Sequence, residues 1–258
     1  MNLKLQLDQP AEHVARLTIS NPERRGALDQ ELLDTLAEHA RTLDARCLVI
    51  RGSGSVFSAG YDIGDFGDAE FEKSAERLVA HPFQDAMEAL EAYRFPVLAE
   101  INGHAIGGGL ELALTCDIRV AADNARFAMP PARLGLIYSH TGLRKFIDAC
   151  GVANTAELFH VGETIDAQRA EAMGLVNQVV DPDELEERVL ELAARIAANA
   201  PLALAGNKRV IRTLRSQPLP DDVERELVEL RESCFRSEDF REGVRAFAEK
   251  RAPRWQGR

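Results

Sequence analysis

Aromatic residues make up only 6% of this 258-residue chain, with a single tryptophan and four scattered cysteines. Cys47, Cys116, Cys150 and Cys234 have no CxxC spacing and no histidine cluster beside them, which argues against a zinc site and against a disulfide framework. No apolar run approaches the roughly 18 residues of a membrane span. The opening Met1-Asn2-Leu3-Lys4-Leu5-Gln6 alternates in polarity and lacks the apolar stretch of a secretory signal. These absences give the expectation of a reduced, cytoplasmic protein with no membrane partner. Basic residues are also in the minority, 31 Lys+Arg against 42 Asp+Glu for a formal charge of −11, so no nucleic-acid partner is expected. Among six histidines there is no HExxH, and the glycines match neither GxGxxG nor a P-loop. No metal and no separate cofactor is expected.

What is present is an ordinary globular share of apolar residues, 45%, arranged first as alternating strand-like and helix-like stretches. Val14 to Ile19 alternates and stops at Asn21-Pro22. Leu32, Leu36, Ala40 and Leu43 follow at helical spacing behind Asp29, a plausible N-cap. Cys47-Leu48-Val49-Ile50 reads as a strand buried on both faces. A polar segment from Asp62 to about Lys73 precedes a helix ending near Tyr93, then a strand runs from Pro96 to Ile101 and a last one from Val176 to Val180. Beyond Asp181 two amphipathic stripes appear, Leu185/Val189/Leu192/Ile196 and Val223/Leu227/Leu230/Cys234. The pattern predicts an α/β body over residues 1–181 and a helical region over 182–258 of the kind that supplies an oligomer interface.

Two stretches point to chemistry. In Asn102-Gly103-His104-Ala105-Ile106-Gly107-Gly108-Gly109-Leu110-Glu111 three glycines sit between a strand and an apolar helix, where first-turn N–H groups are left unpaired and suit an anion or oxyanion. A tight structural turn explains the same glycines. In Phe57-Ser58-Ala59-Gly60-Tyr61-Asp62-Ile63 small residues would let a ligand approach the backbone, and Val56 stands where a nucleophile elbow needs glycine, so Ser58 is not read as a nucleophile.

Together with Asn21 to Leu28, Cys116-Asp117-Ile118, Phe127 to Pro130, Gly174-Leu175-Val176 and the ending Phe247 to Arg251, these motifs resemble the crotonase (enoyl-CoA hydratase/isomerase) superfamily along nearly the whole chain. The resemblance implies a crotonase-like α/β spiral of ββα units, a C-terminal helical trimerisation region, a homotrimer or dimer of trimers, and acyl-CoA substrates, with coenzyme A part of the substrate. Carried over by position, the oxyanion hole is the backbone N–H of Tyr61 and Gly108. The coenzyme A contacts are Arg24, Arg25, Ala27, Ala59, Asp62, Ile63, Phe247 and Lys250. Residues 241–258 carry six basic residues against two acids, a local excess able to attract phosphates.

Family hydratases use two glutamates. Glu111 matches the first, whereas Pro131 occupies the place of the second, and proline cannot transfer a proton. The loop Leu136 to Gly142 resembles that of methylmalonyl-CoA decarboxylase, in which a tyrosine matching Tyr138 is associated with the substrate carboxylate. The expectation is an enoyl-CoA hydratase/isomerase type of enzyme with Glu111 as proton carrier and Tyr138 or His140 as the missing acid. A malonyl-type decarboxylase and a non-catalytic thioester-binding protein are the alternatives.

Overall fold

A computed structural model describes residues 4–61, 82–134, 138–215, 220–223, 225–226, 237–239, 242, 246, 249–251 and 253–258. Asp62, Ile63, Phe247, Cys234 and most of the stripe from Val223 lie outside these residues.

The chain repeats one step: a strand in a large sheet, a short strand in a small sheet, then a helix. The large sheet has six strands in the order β1 (Leu5–Ala11), β2 (Val14–Ile19), β3 (Cys47–Gly52), β5 (Val97–Ile101), β7 (Ile118–Ala122) and β10 (Gln178–Val180). Only β1 and β2 pair antiparallel, and the rest run parallel, with Val14 opposite Cys47 and Leu48 opposite Val97. The small sheet is β4 (Val56–Ser58), β6 (His104–Ile106), β8 (Arg126–Ala128) and β9 (Ile165–Asp166). The helices are α1 (Gln30–Thr42), α2 (Gln84–Ala92), α3 (Gly108–Thr115), α4 (His140–Ala156), α5 (Ala167–Met173), α6 (Leu185–Ala197) and α7 (Pro201–Leu214). The units β5-β6-α3 and β7-β8-α4 are two turns of a ββα spiral, the architecture that the resemblance implies.

Residue parity explains why β3 is apolar throughout. Leu48 and Ile50 join the core built on α1, α2 and α3, while Cys47 and Val49 face the other way, onto α6. The stripe Leu185, Val189, Ala193 and Ala197 covers that second face together with Val14, Leu98 and Val120. Each fully buried Leu, Ile or Val contributes about 1.5–3 kcal/mol. So α6, which falls beyond residue 181, packs directly on the large sheet. The expected cap of α1 is present, Asp29 accepting from Leu32 N at 2.9 Å.

α7 is tied to the body by Lys208, which is 8% exposed, pairs with Asp117 at 2.8 Å and donates to Phe95 O at 2.9 Å. Cys47, Cys116 and Cys150 are buried and free, and burial pushes the Cys47 and Cys116 thiols up to about 12. Thiols held that far from ionisation are unreactive packing residues. Among the described residues no single helix is long and apolar enough to cross a membrane.

Candidate active site

α3 begins at Gly108 and is buried along its whole length, an arrangement its apolar sequence supports. Its first amides, at Gly108 and Gly109, have no helical acceptor four residues back. Opposite them runs the Ala59-Gly60-Tyr61 loop, held by its neighbours: Leu28 N donates to Gly60 O at 2.8 Å and Ala59 N to Arg25 O at 3.1 Å. Ser58 serves that loop as a latch, its hydroxyl donating to Gly26 O at 2.8 Å and accepting from Gly60 N at 3.2 Å. A Cβ built on Gly60 would lie 3.1 Å from Gly108 N, which measures how close the two loops run. A Cβ on Gly108 would stand 2.9 to 3.1 Å from the Tyr61 ring, so only glycine admits that ring. Among the described residues the amides of Tyr61 and Gly108 donate to no backbone carbonyl.

One turn into α3, Glu111 projects into a cavity of about 110 Å³. Its residue is 3% exposed, and its partners come from the loop before α4 and from α4 itself. Tyr138 OH donates to Glu111 Oε2 at 2.5 Å, and the Tyr61 hydroxyl lies 3.1 Å from that of Tyr138. Lys145 Nζ pairs with Glu91 Oε1 at 2.8 Å and stands 3.9 Å from Glu111 Oε1. Gly142 is required here, since a Cβ would sit 2.5 Å from the Tyr138 ring and 2.8 Å from Glu111 Oε2. Phe83 meets the Tyr61 ring edge-on at 4.7 Å, and Phe159 meets Tyr138 at 5.5 Å, which fixes both phenols.

Burial pushes the Glu111 carboxyl above the usual glutamate value, against the opposing pull of the Tyr138 hydrogen bond and the Lys145 charge. Burial also raises the Tyr138 and Tyr61 phenols, and the Glu111 charge raises them further. Both phenols therefore stay protonated near neutrality and act as donors. The arrangement is a buried carboxylate able to take and return a proton, one helical turn from the Gly108 amide, which has no backbone acceptor among the described residues.

Of the residues expected from sequence, Tyr61, Gly108, Glu111 and Tyr138 come together. His140 opens α4, exposed, and lines a neighbouring larger cleft instead of this cavity. Arg25 is joined to Ala59 by the backbone bond above, and Ala27 N donates to Arg24 O at 3.0 Å, with Ala27 buried and both arginines exposed. Lys250 is exposed, with φ +54°. Pro131 is buried at the start of a 3-10 turn, Pro131–Leu134. Sequence reading missed Phe83, Met87, Glu91 and Lys145. The first three, Phe83 at the N-cap of α2 and Met87 and Glu91 within it, follow at four-residue spacing, which could have shown them as a set.

The enoyl-CoA hydratase/isomerase family model matches residues 9–258. A probable enoyl-CoA hydratase of Bacillus subtilis (strain 168) is 35% identical over 260 residues, covering 99% of this chain and 98% of its own. The 2,3-dehydroadipyl-CoA hydratase of Escherichia coli (strain K12) is 34% identical, with 96% of each chain covered. The crystal structure of an enoyl-CoA hydratase from Bacillus anthracis superposes with a TM-score of 0.91 at 30% identity, over 99% of this chain and all of the other. With this fold and this match along its length, the chain belongs to the enoyl-CoA hydratase/isomerase family, the crotonase superfamily.

Proposed function

We propose that this family member is an acyl-CoA enzyme in which one carboxylate, Glu111, moves the substrate proton while the amides of Tyr61 and Gly108 hold the thioester oxygen. The observation that carries the reading is the buried Glu111 joined to Tyr138 at 2.5 Å beside those amides. Negative charge grows on the thioester oxygen as the α carbon becomes an enolate, and each preorganised donor aimed at it contributes about 3–4 kcal/mol. In hydration, water adds its oxygen to the β carbon and gives a proton to ionised Glu111, which then returns one to the α carbon. In isomerisation the same carboxylate lifts a proton from the α carbon and sets it on the γ carbon. Tyr138 orients Glu111 and holds its charge, partly replacing the second glutamate that Pro131 displaces.

A malonyl-type substrate would bring its own carboxylate against Glu111, two like charges in a dry pocket. Tyr138 is also already engaged by Glu111. Both points favour the hydratase/isomerase reading over decarboxylation, and an intact proton-transfer pair speaks against a purely binding role. Coenzyme A would run past Ala27 and Ala59, with Arg24 or Arg25 near its phosphates, Asp62, Ile63 and Phe247 completing the contacts, and Lys250 meeting a phosphate. The unit we propose is a homotrimer or dimer of trimers through residues 182–258. Ile211 and Leu214, 63% and 48% exposed, give α7 an apolar face for such contact.

The test is product analysis by mass spectrometry with enoyl-, 3-hydroxyacyl- and malonyl-type CoA esters, using wild type and Glu111→Gln. Water addition or double-bond migration that disappears in the variant supports the reading. Carbon dioxide loss that survives Glu111→Gln but not Tyr138→Phe replaces it with the decarboxylase.

A further inference from the structure

The cavity at Glu111 is small, about 110 Å³, well below the roughly 300–1,000 Å³ of ordinary small-molecule sites. An acyl chain of more than a few carbons must leave it. Glu91, Thr141 and Lys145 also line a second cleft, about 870 Å³, formed mainly by α4 and α7. Of the residues expected to contact coenzyme A, the described ones, Arg24, Arg25, Ala27, Ala59 and Lys250, line neither space.

Among the described residues the lining of the second cleft is opposite in charge to the chain: Arg144, Lys145, Arg209, Arg212 and Arg215 stand against two carboxylates, Glu91 and Asp148, in a protein of net charge −11. Asp148 is shared by Arg144 and Arg215, each at 2.9 Å, and Glu91 is taken by Lys145. Arg209 pairs with Glu226. Arg212 has no ion-pair partner among the described residues. A hydrocarbon tail laid there would strip water from guanidinium groups and return nothing, whereas a carboxylate matches the arginine fork with two parallel hydrogen bonds.

We propose that this cleft is an anion subsite for the far end of the acyl group, so that the preferred thioesters carry a terminal carboxylate remote from the reacting carbons. The proposal rests on the acyl-CoA reading above and deepens it by naming the substrate class. Of these cations only Lys145 also lines the Glu111 cavity; Arg144, Arg209, Arg212 and Arg215 do not.

Titration calorimetry tests it with three ligands that do not turn over: hexanoyl-CoA, its terminally carboxylated analogue 5-carboxypentanoyl-CoA, and free coenzyme A. Wild type is expected to bind the carboxylated ester at least tenfold more tightly than hexanoyl-CoA, and Arg209→Gln/Arg212→Gln to bring that ratio close to one. Both arginines are exposed, so the variant folds, which its thermal melt checks. Equal affinity for the two esters in wild type overturns the proposal. So does a variant that weakens both esters and free coenzyme A in parallel, which assigns the cations to the coenzyme phosphates. Absence of all thioester binding removes the acyl-CoA reading and this one with it. A carboxylate preference in a protein that turns over no enoyl ester upholds the subsite and overturns only the reaction.

Discussion

Replacing Tyr138 by phenylalanine removes one oxygen and leaves the ring packed on Phe159, so its effect falls on Glu111. The lost bond is a hydrogen bond to a charged acceptor in a buried site, worth about 1.5–3 kcal/mol. Because the phenol donates to the carboxylate, it favours the ionised form, and its loss raises the Glu111 pKa further. At 1.36 kcal/mol per unit, the acid limb of the rate profile should move up by about 1–2 units. At a pH below the new value the variant is correspondingly about 10–100-fold slower, and above it activity returns. The assay is kcat/KM against pH for an unsaturated CoA ester in both proteins. An acid limb that stays in place or moves down refutes the coupling, as does a uniform loss at every pH.

Gly108→Ala forces a Cβ to 2.9 Å from the Tyr61 ring and disturbs one of the two amides, so kcat should fall by about 10²–10³ and the urea-derived stability by about 1–3 kcal/mol as the ring shifts. Lys208→Met leaves the Phe95 carbonyl without its charged donor and removes the pair with solvent-exposed Asp117, and the urea-derived stability should drop by about 1–2 kcal/mol. Glu100 is 1% exposed, both its oxygens lack hydrogen bonds among the described residues, and burial raises its carboxyl above the usual glutamate value despite Arg51 nearby. A carboxyl that holds its proton more tightly when folded stabilises the protein at low pH and loses that contribution as pH rises through its folded value. Glu100→Gln should therefore gain on wild type in urea midpoint as pH goes from 5 to 8, and a constant gap contradicts this.

Much of the fold was legible because burial writes itself as period. The stripe behind Asp29 gave α1 and its cap, and the unbroken Cys47 to Ile50 run gave a strand covered on both faces. The small sheet was not, since β4, β6, β8 and β9 have two or three residues each and are too short to show alternation. His104 to Ile106 thus form β6 inside the stretch between the strand and the glycine run. At the site, Gly108 and Glu111 stood out through the glycine run. Lys145 did not, for it lies among ordinary helix charges on α4, and its burial beside Glu91 and Glu111 comes from tertiary packing that leaves no mark on the sequence.

The central claim, that Glu111 carries the substrate proton beside an enolate-holding pair of amides, is tested most directly by proton NMR of butanoyl-CoA in D₂O. This ester has no double bond and no leaving group, so exchange at its α carbon reports proton transfer alone. The account predicts deuterium entering the α position with wild type and not with Glu111→Gln. Exchange that persists in the variant, or that wild-type protein never catalyses on a bound ester, contradicts it.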